Sequence, residues 1–254
     1  MVGTNQKYAL EIHDVTKSFG GVHAVRSVSI SIPAGQRRAL IGPNGAGKTT
    51  LFNLITGEIP ADSGRFLLFD KDISSNSVEQ RARKGLGRTY QTSQLFLELT
   101  VEQNLFLASS PKRGKDISLF KKWESYDETR SQILDVAHQV GLEDHLYRHV
   151  GELSHGLQRQ LEIGMAVAMK PKIILLDEPA AGLSPTERVQ LKKLLRDLPT
   201  DITMVLIEHD MELVLYVADM IDVLNRGSLI VTDVPDKIQE NKEVQEVYLG
   251  SSYV

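Results

Sequence analysis

Residues 42–49 read Gly42-Pro43-Asn44-Gly45-Ala46-Gly47-Lys48-Thr49, the pattern G-x-x-x-x-G-K-[ST]. No other stretch of the chain narrows the choice of fold so far. Glycines let backbone N–H groups approach an anion closely and adopt turn dihedrals denied to other residues. Those N–H groups, with the start of the following helix, form a cradle for phosphate oxygens. Lys48 brings a cation to the β- and γ-phosphates, and the Thr49 hydroxyl, with Thr50 beside it, is an oxygen ligand suited to Mg²⁺. The context agrees. Arg38-Ala39-Leu40-Ile41 is a short apolar strand running into the loop. Leu51, Phe52, Leu54 and Ile55 then recur at helical spacing, and Gly57 is placed to stop that helix.

A second chemical signal ends another apolar strand. Lys172-Ile173-Ile174-Leu175-Leu176 is, after its lysine, the kind of segment buried on both faces of a parallel sheet. It runs into Asp177-Glu178. Ligands of open α/β sheets sit at the carboxyl ends of the strands. There Asp177 can hold Mg²⁺ directly or through water, and Glu178 can orient or deprotonate an attacking water. The two motifs together predict a P-loop nucleoside triphosphatase. A guanine-specific N-K-x-D motif is missing, because the one Asn-Lys pair, Asn241-Lys242, continues Glu243-Val244.

Composition removes other classes. Among 254 residues, 29 Lys and Arg oppose 33 Asp and Glu, a net charge of −4, which gives no bulk argument for nucleic-acid binding. The chain contains no cysteine, so disulfides, zinc–thiolate sites and thiol nucleophiles are excluded. The start MVGTNQKYAL has no apolar signal region. The longest apolar run, Leu213 to Ala218, is far short of the about 20 residues a membrane-spanning helix needs. A role at a membrane therefore requires another chain.

The remaining pattern predicts an α/β chain with a helical insertion. Residues 8–12 and 28–32 alternate with period two, and 65–70 reads as a further strand. From about 76 to 170 the helical period dominates, with helices expected near 101–108, 131–140 and 158–169. The basic stretch Pro111 to Glu124 reads as a solvated loop and helix face, with a partner-facing patch as the alternative. Ser184-Pro185-Thr186-Glu187 is a helix start with a capping box. Residues 203–207 form the next strand, and 221–224 with 229–232 a hairpin around Asn225-Arg226-Gly227. Residues 235–254 read as a polar tail with one helical stretch.

Between the two motifs, Leu153-Ser154-His155-Gly156-Leu157 resembles the L-S-G-G-Q signature of ABC ATPases. Gln91 lies where that family has its Q-loop glutamine, His209 where it has its switch histidine, and Phe19 where an aromatic stacks on adenine. The order and spacing of these four features together with the two motifs identify the chain as resembling an ABC nucleotide-binding domain over nearly its whole length. The resemblance implies a RecA-like mixed core, an antiparallel β subdomain and an inserted α-helical subdomain. The expected division is 1–90 and 171–235 for the core with its β subdomain, 91–170 for the helical signature subdomain, and 236–254 for the tail. It implies ATP and Mg²⁺ as ligands. Residues 42–50 would cradle the phosphates, with Thr49, Gln91 and Asp177 around the metal. Glu178 would be the general base, and His209 would hold the γ-phosphate and attacking water. Two cassettes would close head to tail, identical or different, so that Ser154 and Gly156 touch ATP bound on the other. Partners would be a second ATPase subunit, transmembrane permease subunits and, indirectly, a substrate-binding protein, with the chain on the cytoplasmic face of the membrane. A groove near Gln91, rimmed by residues between Leu95 and Phe106, would accept a helix of a permease.

Four positions depart from the family pattern, the mildest being Phe19 at the adenine-stacking place of a tyrosine. His155 replaces the first signature glycine, Leu157 stands where glutamine is usual with Gln158 next, and Ser184 occupies the D-loop aspartate position. A narrower resemblance, to the ATPases of branched-chain amino-acid importers, rests on Phe19-Gly20-Gly21, Leu51 to Gly57, Gly87-Arg88-Thr89-Tyr90-Gln91, Leu95-Phe96 and Val247-Tyr248-Leu249-Gly250. Leu153-Ser154-His155-Gly156 and Leu161-Glu162-Ile163-Gly164 are also similar to relatives that import urea or short amides. An exporter ATPase and a non-transport ABC protein are the remaining alternatives.

Overall fold

The computed structural model describes residues 7–89, 95–109 and 127–250. In chain order its strands are β1 (Tyr8–Phe19), β2 (Val22–Pro33), β3 (Arg37–Ile41), β4 (Ser63–Leu68), β5 (Lys71–Asp72), β6 (Leu86–Arg88), β7 (Ile173–Asp177), β8 (Thr203–Ile207), β9 (Met220–Asn225) and β10 (Ser228–Asp233). Its helices are α1 (Lys48–Thr56), α2 (Val78–Arg83), α3 (Val101–Ser109), α4 (Asp127–Gln139), α5 (His155–Ala168), α6 (Pro185–Asp197), α7 (Met211–Val217), α8 (Pro235–Glu240) and α9 (Lys242–Gly250). The described residues divide into two units. The first holds those up to Arg88, Lys172–Glu178, and those from Pro199 onward; the second holds those from Thr89 to Pro171 and Pro179–Leu198.

In the first unit, a six-stranded sheet runs β10-β9-β3-β8-β7-β6. Its pairings are parallel except at the β10 edge, which is antiparallel to β9. Every residue of β3, β7 and β8 is buried, as the continuous apolar runs require of strands covered on both faces. Side chains alternate across β3. Leu40 joins a core with Leu51, Phe52, Leu54 and Ile55 of α1, while Ala39 and Ile41 join Val214, Ile238 and Val244 of α7, α8 and α9. A separate antiparallel sheet, β2-β1-β4-β5, contributes Leu10, Ile12, Val28, Ile32, Phe66 and Leu68 to the first core.

α1 ends at Gly57, whose φ of 81° is the left-handed conformation of a helix C-cap. The carbonyls just before that cap do not face water. The buried Arg81 guanidinium donates to Leu54 O (2.7 Å) and Ile55 O (2.6 Å), and also to Ser74 O and Asn76 O. One side chain thus satisfies four carbonyls and anchors the helix that follows the phosphate-type loop.

The second unit is helical. α3, α4 and α5 pack on one another. A Cβ on Gly164 of α5 would touch Val140, Leu105 and Val136, so the missing side chain sets how closely these helices approach. Residues 179–198 group here, whereas the sequence reading assigned them to the core with 171–235. Polar links join this stretch to α5: Arg159 Nε donates to Pro179 O at 2.9 Å, and Glu187 accepts from Gly156 N at 2.9 Å.

Two further elements differ from the sequence reading. β6 lies in the stretch where the helical period was expected to dominate, because its three residues, Leu86-Gly87-Arg88, are too few to show a period. The tail carries two helices rather than one, α9 being separately capped by Asn241 Oδ1, which accepts from Glu243 N and Val244 N. The basic stretch Pro111 to Glu124 lies outside the described residues.

Replacing Arg81 with Ala strips the donor from buried carbonyls, and unfolding in urea is expected to show a loss of about 3 kcal/mol. Arg81→Lys should recover only part of it, because one ammonium cannot span four acceptors.

Candidate functional site

The loop from Gly42 to Gly47 leaves the buried end of β3 and turns into α1. Two of its glycines are obligatory. A Cβ on Gly42 would collide with Leu224 O, and one on Gly47 with Ala24 O; both residues also have positive φ, 149° and 101°. Lys48 opens α1 and is itself buried. Its ammonium donates to Gly42 O at 2.7 Å and Pro43 O at 3.1 Å. Burial lowers its pKa, opposed by the negative charges of Glu178 and Asp177. The Tyr248 hydroxyl of α9 is hydrogen-bonded to the Gly42 backbone.

The carboxylates stand at the end of β7. Asp177 pairs in register with Ile207, and the Glu178 amide donates to the Ile207 carbonyl at 2.9 Å. Glu178 has φ 48°, a left-handed conformation that costs a non-glycine residue about 1–3 kcal/mol and recurs at functional positions. Its Oε1 lies 2.9 Å from His209 Nε2. The buried Asp177 takes a different partner: its Oδ2 accepts from Arg88 Nη2 at 2.9 Å. The same guanidinium donates to Asn53 Oδ1 (2.7 Å) and Glu58 Oε1 (2.9 Å), tying β6, β7 and the end of α1.

A cavity of about 460 Å³ opens beside these groups. The loop from Asn44 to Gly47 lines it, with Lys48, Thr49 and Thr50, and so do Glu178 and His209. The structure therefore brings together the phosphate-type loop, the second carboxylate and the histidine, which the sequence holds far apart. Arg26, Arg226 and His23 also line it, and no sequence signal marked them. Phe19 does not line it. It ends β1, half exposed, with the Lys17 ammonium 5.4 Å from its ring centroid. Gln91 lies outside the described residues.

The donor set suits Mg²⁺. Thr49 offers a hydroxyl and Asp177 a carboxylate, both hard oxygen ligands. Among the described residues no three His, Cys, Asp or Glu cluster as a cage. Mg²⁺ is commonly held by one or two protein oxygens, water and substrate phosphates.

The second unit presents another anion-facing turn. Ser154 caps α5, its Oγ accepting from Leu157 N at 3.3 Å. The exposed His155 lies alongside Gly182, and Gln158 donates to Val150 O at 3.0 Å. Ser184 caps α6 through the expected box with Glu187. Glu187 reaches further, to Gly156 N and to Ser154 Oγ at 3.2 Å. Hydrogen bonds, those from Ser184 foremost, hold its carboxyl down at about 2, well under the ordinary 4.5. A depressed carboxyl stabilises the fold above its unfolded range, and that contribution is lost as pH falls from about 4.5 towards 2. The missed signal of this site was thus Glu187, legible as a cap but not as a partner of α5.

Arg88 appeared in the sequence only as part of a family-like stretch. Arg88→Ala removes the guanidinium facing buried Asp177 and should cost about 3–5 kcal/mol in urea unfolding. Arg88→Lys is expected to restore a minor part of that stability, since a single ammonium cannot hold Asp177, Asn53 and Glu58 together.

Comparison with known proteins agrees with this geometry. The profile of the ABC transporter family matches residues 25–181. The chain is 39% identical over 251 residues to the high-affinity branched-chain amino acid transport ATP-binding protein LivG of Escherichia coli K12, covering 96% of this chain and 98% of the relative. It is 38% identical over 250 residues to BraF of Pseudomonas aeruginosa, a protein of the same description, with the same coverage. Among solved structures it is similar to the ADP conformation of MJ1267, an ATP-binding cassette of an ABC transporter, with TM-score 0.83 and 34% identity, covering 96% of this chain and 99% of that one. The loop, the carboxylates, the signature turn and these likenesses meet in one conclusion: this chain belongs to the family of ABC transporter ATP-binding cassettes.

Proposed function

We propose that the chain is the ATP-hydrolysing subunit of an ABC importer whose cargo is branched-chain or related amino acids. The observation that carries the catalytic part is the single cavity onto which Lys48, Thr49, Glu178 and His209 open. The cargo assignment is supported by LivG and BraF, whose identity to this chain extends over nearly the full length of each.

Each residue then has a task. The N–H groups of residues 44–49 and the Lys48 ammonium bind the phosphates, exchanging the two carbonyl contacts of Lys48 for phosphate oxygens. Mg²⁺, when bound, supplies positive charge to the phosphates, and Thr49, Asp177 and Gln91 are the residues to hold it. Arg88 keeps Asp177 aimed, because the guanidinium fixes Oδ2. Glu178 accepts the proton of the attacking water, and His209, 2.9 Å away, orients that carboxylate. Phe19 offers its exposed π-face to adenine. Ser154 and Gly156 complete the site of a second cassette, identical or different, with a helix start directed at its γ-phosphate.

No helix among the described residues is long and apolar enough to cross a membrane. As the ATPase subunit of an importer, the chain sits at the cytoplasmic face, held by transmembrane permease subunits, with a substrate-binding protein delivering cargo on the other side.

Glu178→Gln keeps the shape of the base and removes its charge. Steady-state phosphate release is expected to fall about 100-fold or more, with ATP still bound and two cassettes held together. Unchanged turnover would remove Glu178 from the role of base. Uptake of labelled leucine is expected to fall to background in cells carrying Lys48→Ala in place of the native chain, with labelled urea uptake unaltered. The reverse pattern would assign the cassette to urea or short amides.

A further inference from the structure

One carboxylate serves two helix starts. Glu187 Oε2 accepts from Ser184 N (3.0 Å) and Ser184 Oγ (2.7 Å), which completes the capping box of α6. Its Oε1 leaves that helix and accepts from Gly156 N (2.9 Å) and Ser154 Oγ (3.2 Å). The second pair of contacts adds nothing to the cap of α6. It places a negative oxygen on the first turn of α5, where the helix dipole and a backbone N–H favour an anion. Gly156 makes the approach possible, since a Cβ there would lie 2.5 Å from Oε1 and 2.6 Å from Cγ.

These donors, the Ser154 hydroxyl and the Gly156 amide, are the ones assigned above to the γ-phosphate of ATP on a second cassette. Two anions cannot share them. A phosphate arriving at this turn meets a carboxylate already in place, and like charges at contact distance repel.

We propose that Glu187 is an intramolecular occupant of the signature turn, which the γ-phosphate presented by a second cassette displaces, so that the Glu187 charge sets the ATP concentration at which two cassettes close. The proposal rests on the two-cassette reading given under Proposed function. The depressed carboxyl supports it, because Glu187 stays ionised across the physiological range. Glu187 is also one turn from the D-loop position at Ser184, so its release frees both segments together.

The test uses the full chain in the Glu178→Gln background, which holds ATP without turnover. ATP-driven dimerisation is followed by analytical ultracentrifugation across ATP concentrations, with ADP as the control nucleotide. Glu187→Gln retains a side chain that fits a capping box and lacks the charge. It is expected to lower the half-maximal ATP concentration about tenfold at low salt, and the gap should narrow as salt screens the charge. Dimerisation at an equal or higher ATP concentration, with an unchanged melting temperature, would overturn the proposal. If Glu187→Gln melts lower, Glu187→Asp is the deciding variant. It keeps a cap for α6 but is one methylene too short to hold Gly156 as well, so it should also lower the ATP requirement, and no change would overturn the idea. If the parent chain alone stays monomeric with ATP, the same titration is run with the full transporter complex, and a parent that engages no second cassette there either would overturn the two-cassette reading itself, and the Glu187 proposal with it.

Discussion

The ammonium of Lys48 is the group around which the polar cluster of the first unit is arranged. It is buried, and burial disfavours its charge. The structure tolerates it because two carbonyls of its own loop accept from it and two carboxylates, Glu178 and Asp177, lend a favourable field. Those neighbours come from strands far apart in the chain. β3 delivers the loop and β7 delivers the carboxylates, in a sheet whose central strands are wholly buried. The apolar burial of the sheet thus holds a polar cluster that could not assemble by itself.

The charges around Lys48 are divided between distinct partners. Asp177 is tied to Arg88, and Glu178 faces His209. Two adjacent carboxylates are thereby given different surroundings, one buried beside a permanent cation, the other half-exposed beside a titratable ring and on a strained backbone. Such divergence suits one residue to holding a charge in place and the other to moving a proton. In the second unit the same economy recurs with opposite sign. The start of α5 offers an N–H and a hydroxyl, and Glu187 satisfies both.

Much of the fold was legible in the chain. The period-two and helical-period segments marked α1, α3, α4, α5, α6 and the central strands, and Thr203–Ile207 was read with its observed ends. Capping chemistry was legible too, because the box at Ser184 and Glu187 is local. β6 was not, since it is too short to show periodicity, and Arg81 gave no sign that four carbonyls depend on it. At the site, Lys48, Thr49, Glu178 and His209 were found from motif and spacing, while Arg26, Arg226 and His23 were not. Each of those three is a common surface residue whose place beside the cavity follows from strand ends and turns remote from the motifs.

The sequence by itself determined the local patterns: a glycine loop of the phosphate-binding type, paired carboxylates after an apolar strand, and a serine-led helix start, all carried by local backbone requirements. Only the tertiary structure decided the partners. That Arg88 faces Asp177, that His209 faces Glu178, and that Glu187 reaches from α6 to Gly156 are contacts across 89, 31 and 31 residues. Side-chain hydrogen bonds depend on positions to within a few tenths of an ångström, and strand register and helix packing set those positions. No local pattern in the sequence encodes them.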